Sequence, residues 1–232
     1  FTGTTGSLVK WEKIGPGKLA DSDRFYVIAI DALGNGVSSS PSNSPQQAGK
    51  QFPRISIADM VNSQYTLLTQ HLGISRAHAV MGISMGGMQT FRWVGQYPGF
   101  MNKAIAIDGS PATTSYDLLQ WRTHETAILM MQEAGIGNPD IMKFASTLSL
   151  LTLWTPEYFV EKITPDALPK FIADSTQDSG EGNANDYLAQ LRAMISHDVY
   201  ATDSPYETPY LERVRADLLV IGTNDDHMVN QA

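Results

Sequence analysis

An α/β fold, a mostly parallel sheet flanked by helices with an inserted α-helical cap, follows from three features of this 232-residue sequence. Short apolar runs of strand character alternate with helical stretches up to about Asp108, and one more such run stands near the end of the chain. One such run, Ala79-Val80-Met81, passes through Gly82-Ile83-Ser84-Met85-Gly86 straight into a helical stretch that begins at Met88. Between about Ala112 and Tyr210 the alternation gives way to helical segments alone. The expected division is therefore a sheet core made of residues 1–111 and 211–232, cut short at both ends, with residues 112–210 as the cap.

Phe1 to Ser7 is small and Gly/Thr-rich, a loop in character. Trp11 to Asp23, with Gly15-Pro16-Gly17, reads as a connection. Arg24 to Asp31 is rich in aromatic and β-branched residues and is expected as a buried strand. It ends in Asp31-Ala32-Leu33-Gly34-Asn35-Gly36-Val37-Ser38, a turn whose two glycines allow positive φ. Ser38 to Gln51 is a Ser/Pro/Asn-rich surface loop. Ser56 and Asp59 have capping-box spacing, so a helix is expected next, with Ile57, Met60, Val61, Leu68 and Leu72 on one face and Gly73 as its stop. Strand, helix and strand in this order make a parallel βαβ unit. After the elbow helix, Pro98 marks a break and Lys103 to Asp108 is the next buried strand. The cap helices are expected around 116–134, 140–153, 157–163, 167–173 and 185–195, interrupted by a polar loop over 177–183; Met130, Met131, Met142 and Met194 are expected mainly to pack this cap. The strand pattern returns over Ala216 to Gly222 and runs into Thr223-Asn224-Asp225-Asp226-His227.

The stretch around Ser84 carries the chemistry. In G-x-S-x-G the serine sits on a strained turn that exposes its hydroxyl, and the flanking glycines, Gly82 and Gly86, let strand and helix backbones pass without a Cβ clash. The following helix turns its amides and positive dipole end towards the place where negative charge develops in acyl transfer. Ser84 is the candidate nucleophile. A carboxylate after a late strand would orient a histidine and stabilise its imidazolium; Asp225 and Asp226 both fit, Asp226 better.

The base must come within hydrogen-bond reach of Ser84. Of the five histidines, His71 lies at the far end of its helix, His78 starts the elbow strand, and His227 directly follows the acid pair. His124 and His197 fall in the cap. The expected position of the catalytic histidine is beyond Ala232.

Composition narrows the partners. A net charge of −8 argues against nucleic acid and anionic membranes, which need clustered Lys and Arg. The absence of cysteine excludes disulfides, thiolate metal sites and a cysteine nucleophile. No apolar run reaches the roughly 20 residues of a membrane span. A small-molecule acyl substrate is expected, with no metal and no bound cofactor. A homodimer stays open, as does the compartment, which is the cytoplasm if the chain simply starts inside a longer one and another place if a leader preceded it.

These residues also carry a resemblance. Phe1-Thr2-Gly3, Gly15-Pro16-Gly17-Lys18 with Asp21 to Phe25, Phe52-Pro53-Arg54-Ile55-Ser56-Ile57-Ala58-Asp59-Met60-Val61, Ser84-Met85-Gly86-Gly87-Met88-Gln89, and Asn185 to Leu188 with Ala193-Met194 resemble the α/β-hydrolase superfamily, in its homoserine O-acetyltransferase (MetX-like) branch. The resemblance implies a Ser/Asp/His triad with Ser84 and Asp226 at the matching positions. It also implies an oxyanion hole from the amides of Met85 and Phe1, and a histidine in a C-terminal segment this chain does not contain. Two positions depart from the branch. Where its cap helix carries an arginine, and a tyrosine seven residues later, that hold the amino-acid substrate, this sequence has Ser146 and Leu153, which cannot pair a carboxylate. The Asp31 to Ser38 turn, in turn, is similar to that of ordinary α/β-hydrolase esterases. The expected function is a serine hydrolase of carboxylic esters. The alternatives are an O-acyltransferase with acyl-CoA as co-substrate, and a non-catalytic binding protein on the same fold.

Overall fold

The computed structural model describes residues 14–201 and 208–229. Its centre is a parallel sheet of three strands in the order β1 (Ala77–Ile83), β2 (Met101–Ile107) and β3 (Asp217–Ile221). The register puts Ile83 beside Ile107 and Ile107 beside Ile221, so the three strands end in line.

Helix α1 (Ile57–Thr66) starts where the capping box places it: the Ser56 hydroxyl accepts from the Asp59 N–H, and the Asp59 carboxylate accepts from the Ser56 N–H. Its last turn widens into a π turn over Leu67–His71, and Gly73, at φ 67°, ends it. Helix α2 (Met85–Gln96) leaves β1 directly and is buried along nearly its whole length. A buried relay joins the two helices: the Trp93 indole N–H donates to Gln64 Oε1 at 3.0 Å, and Gln64 Nε2 donates to Gln89 Oε1 at 2.6 Å. Each amide satisfies a partner that the apolar surroundings would otherwise leave unpaired. Around this relay Val61, Val80, Phe91, Val94, Phe100 and Ala104 form the core between sheet and helices.

Between β2 and β3 the chain is helical: α3 (Ser115–Glu133), α4 (Asn138–Leu153), α5 (Pro156–Lys162), α6 (Leu168–Thr176), α7 (Ala184–Ile195) and the short α8 (Tyr210–Arg213). Thr114, Thr155 and Asn183 cap α3, α5 and α7 through their side chains. A second core joins this layer to the elbow, with Met85 and Met88 packed among Trp121, Ile128, Leu188 and Leu191. Met142 and Met194 belong to it, whereas Met130 is exposed.

One expected strand is corrected. Residues 26–32 take no regular secondary structure and join no ladder among the described residues, and Tyr26 is 89% exposed. A strand needs a hydrogen-bonding neighbour. Here an apolar cleft of about 880 Å³ separates the segment from β1, with Val27, Ile28 and Ile30 on one side and Ala77, Val80 and Met81 on the other.

Candidate active site

Three parallel strands that end in line deliver three turns to one edge of the sheet. Ser84 follows β1, Asp108 follows β2, and the Thr223 to Asp226 turn follows β3. The large cleft beside β1 is lined by the opening and middle of the strands and does not contain Ser84.

Ser84 has φ 56° and ψ −123°, a conformation that costs a residue with a side chain about 1–3 kcal/mol. Two backbone bonds hold it there. Its N–H donates to the Ile107 carbonyl at 2.8 Å, and its carbonyl accepts from the Met88 N–H at 3.1 Å, so the residue is pinned to the sheet and to the first turn of α2 together. The turn closes only because its neighbours lack side chains. A Cβ on Gly82 would lie 2.0 Å from the Gly86 carbonyl oxygen, and one on Gly109 would lie 2.6 Å from the Gly87 Cα. The Ser84 side chain makes no capping bond and is half-buried, so its hydroxyl remains at the helix mouth. Met85, fully buried, opens α2; its amide is among the first-turn N–H groups that have no partner within a helix. Phe1, the other expected oxyanion residue, lies outside the described residues.

Asp226 occupies the turn after β3, and Asp225 beside it is exposed. Through Oδ1 the Asp226 carboxylate accepts the N–H groups of Met228 at 2.8 Å and Val229 at 2.9 Å, so it also caps its own turn. Val229 is buried against the same cluster as Met85 and Met88, and the Gln120 amide of α3 donates to the Met228 carbonyl. The turn is thereby fixed to the helical layer.

Sequence reasoning missed Asp108. Its φ of 44° makes it, with Ser84, one of two described non-glycine residues with positive φ. Burial first, and then the charge of Asp226, hold its carboxyl above the usual carboxylate range. The available signal was its place at the end of the apolar run from Ala104 to Ile107, at the same strand end as Ser84.

No histidine is hydrogen-bonded to the Ser84 hydroxyl among the described residues. His197 is wholly buried, its Nε2 paired with the Ser110 carbonyl at 3.1 Å. Burial, reinforced by the Arg92 charge and opposed by the Ser110 bond, pushes its pKa down to about 3. His124 Nδ1 meets the Tyr187 hydroxyl at 3.1 Å, and burial lowers its pKa. His78 stacks on Phe25 at the start of β1.

The Asp31 to Ser44 turn is a compact knot. Gly34 and Gly36 take φ 81° and 85°, the Ser38 hydroxyl donates to the Asp31 carbonyl at 2.7 Å, and Asn43 Oδ1 accepts from the Ser40 N–H at 2.8 Å. Asp186 of α7 fastens it, accepting from the backbone N–H and the hydroxyl of Ser42. Ser146 and Leu153, the two positions at which the sequence was expected to depart from the resemblance, both lie on α4, with Leu153 exposed at its end. No group of metal-ligating side chains forms among the described residues, and no described helix is long and apolar enough to cross a membrane.

A serine held in a strained strand-to-helix turn at the end of a parallel sheet, under a helical layer, is the arrangement of α/β enzymes that act on acyl groups. The chain belongs to the alpha/beta hydrolase fold family, whose model matches residues 1–232. It is 48% identical over 99 residues to a homoserine O-acetyltransferase of Methanohalophilus mahii, a stretch covering 40% of this chain and 20% of that one. It is 40% identical over 107 residues to an ethyl acetate hydrolase of Pseudomonas veronii, covering 46% and 31%. Among solved structures, the acetyl esterase MekB superposes with a TM-score of 0.82 at 26% identity, covering 91% of this chain and 65% of that one. The chain thus spans less than two thirds of the length of each of these relatives.

Proposed function

We propose that this chain carries the nucleophile and acid of a serine esterase acting on small, neutral carboxylic esters. Ser84 Oγ attacks the ester carbonyl while a histidine other than the five described takes its proton. Asp226 orients that histidine, and the amides of Met85 and Phe1 hold the oxyanion. The histidine returns the proton to the departing alcohol, leaving an acyl-serine. Water, deprotonated by the same histidine, then releases the acid and restores Ser84. Helices α3 to α7 form the cap over this edge of the sheet. The chemistry needs no cofactor; acyl-CoA enters only as a co-substrate, if an alcohol replaces water as the acceptor.

The observation that carries the reading is the Ser84 backbone, φ 56° and ψ −123°, kept by a turn so tight that Gly82 admits no Cβ. Strain of this kind persists where function requires it. Ser146 and Leu153 favour water over an amino-acid acceptor, because neither replaces a guanidinium that would pair a substrate carboxylate.

The test uses the whole natural protein. A fluorophosphonate probe is expected to label Ser84, located by peptide mass spectrometry, and p-nitrophenyl acetate is expected to be hydrolysed at a rate that Ser84→Ala abolishes. Thiol release from acetyl-CoA only when an alcohol is supplied would establish the transferase instead. No labelling of Ser84 would leave the binding protein.

A further inference from the structure

Asp108 stands between the nucleophile and the acid turn, and no step of the proposed acyl transfer uses it. It follows the middle strand. Its own N–H donates to the Ile221 carbonyl of β3 at 2.8 Å, and the Ile107 carbonyl just before it accepts from Ser84 at 2.8 Å. Its carboxyl Oδ1 lies 3.5 Å from the Thr223 hydroxyl, inside the turn that bears Asp226. Among the described residues the charged group that acts on it is Asp226; Thr223 offers a hydroxyl, and Ser84 flanks it on the β1 side.

We propose that Asp108 is a positioning residue for acyl transfer: its carboxyl, set between the serine of β1 and the turn after β3, acts on Asp226 and through it sets the basicity of the histidine that serves Ser84. The inference rests on the Ser84 and Asp226 reading given above. A carboxylate at Asp108 adds its negative charge to that of Asp226 at the same edge of the sheet. An imidazolium paired with Asp226 therefore feels the charge of both, and deleting one lowers the pKa of the imidazole. Asp108 forms and breaks no bond; it contributes charge at a fixed place.

Asp108→Asn and Asp108→Gly separate this role from a structural one. Asparagine keeps the size of the side chain and tolerates positive φ, whereas glycine removes the side chain and relaxes the backbone. Both variants of the whole natural protein are assayed for kcat/KM on p-nitrophenyl acetate from about pH 5 to 9, and for fluorophosphonate labelling of Ser84. The expected result is that the acid limb moves to lower pH by roughly 0.5–1 unit in both variants, with labelling retained. A limb that stays in place, moves upward, or moves in only one variant overturns the inference, even if melting temperatures change. Failure of the unsubstituted protein to label at Ser84 removes the acyl-transfer reading and this inference with it. That outcome is distinct, because in the others labelling persists.

Discussion

Gly82→Ala probes the elbow at its tightest point. A Cβ there would sit 2.0 Å from the Gly86 carbonyl oxygen, 2.3 Å from its carbon and 2.8 Å from its Cα. All three atoms are backbone, so no side-chain rotation relieves the contact. Non-bonded atoms settle near 3.5 Å, so β1 and the start of α2 must part by about 1.5 Å, the difference between that spacing and the closest contact. The Ser84 hydroxyl rides on this turn, and a displacement of about 1 Å at a reacting group costs roughly 100-fold in rate. The parting also breaks or lengthens the Ser84 to Ile107 bond and costs about 1–3 kcal/mol in overpacking. Two measurements follow from one variant: the second-order rate of fluorophosphonate labelling, expected to fall at least about 100-fold, and the urea midpoint, expected to fall. Gly99→Ala is the control, since nothing lies within 4 Å of its Cβ; its stability should stay within about 0.5 kcal/mol of the parent. A Gly82→Ala protein that melts cooperatively and labels at the parent rate would refute the claim that the elbow is held closed by this contact.

Ser84→Gly should abolish labelling yet stabilise the fold by about 1 kcal/mol in urea unfolding, because relief of the φ 56° strain outweighs the added chain entropy of glycine. His197 stays neutral in the folded protein down to about pH 3, whereas its ordinary value in the unfolded chain is 6.5. Its contribution to stability is therefore complete above pH 6.5 and is lost as pH falls towards 3, at up to about 1.4 kcal/mol per unit. In urea titrations His197→Gln should flatten the acid limb of stability against pH, and an unchanged limb would show that the imidazole is not the titrating group. Glu125, 11% exposed, receives Arg192 at 2.7 Å and Arg122 at 3.2 Å. Glu125→Gln should cost about 1–3 kcal/mol by leaving Arg192 partly unpaired, while Arg122→Ala, at a side chain 63% exposed, should cost at most about 1 kcal/mol in the same assay.

What could be read from the sequence was local. The Ser56 and Asp59 box, the Gly82 to Gly86 turn and the helices between Ser115 and Ile195 are each specified by residues within a few positions of one another, and all stand where expected. Arg24 to Asp31 has the composition of a strand, but a ladder depends on a neighbour that its own residues do not specify. Asp108 was obscured for the same reason. Its place beside Ser84 and the Asp226 turn comes from the register of three strands distant in the chain, and its positive φ is set by that junction. The tie between Ser42 and Asp186 spans 144 positions, so each reads locally as an ordinary turn or capping residue.

The sheet has a consequence for the polypeptide as a material. At β3, Leu219, Val220 and Ile221 are 53, 46 and 44% exposed, and at the other margin β1 faces the apolar cleft. A molecule with one sticky margin can saturate itself by pairing; one with two can pass the opportunity on, each addition offering a fresh end to the next. Among the described residues both margins of the sheet are of this kind, so association at high concentration is expected to run as open-ended growth rather than stop at a pair.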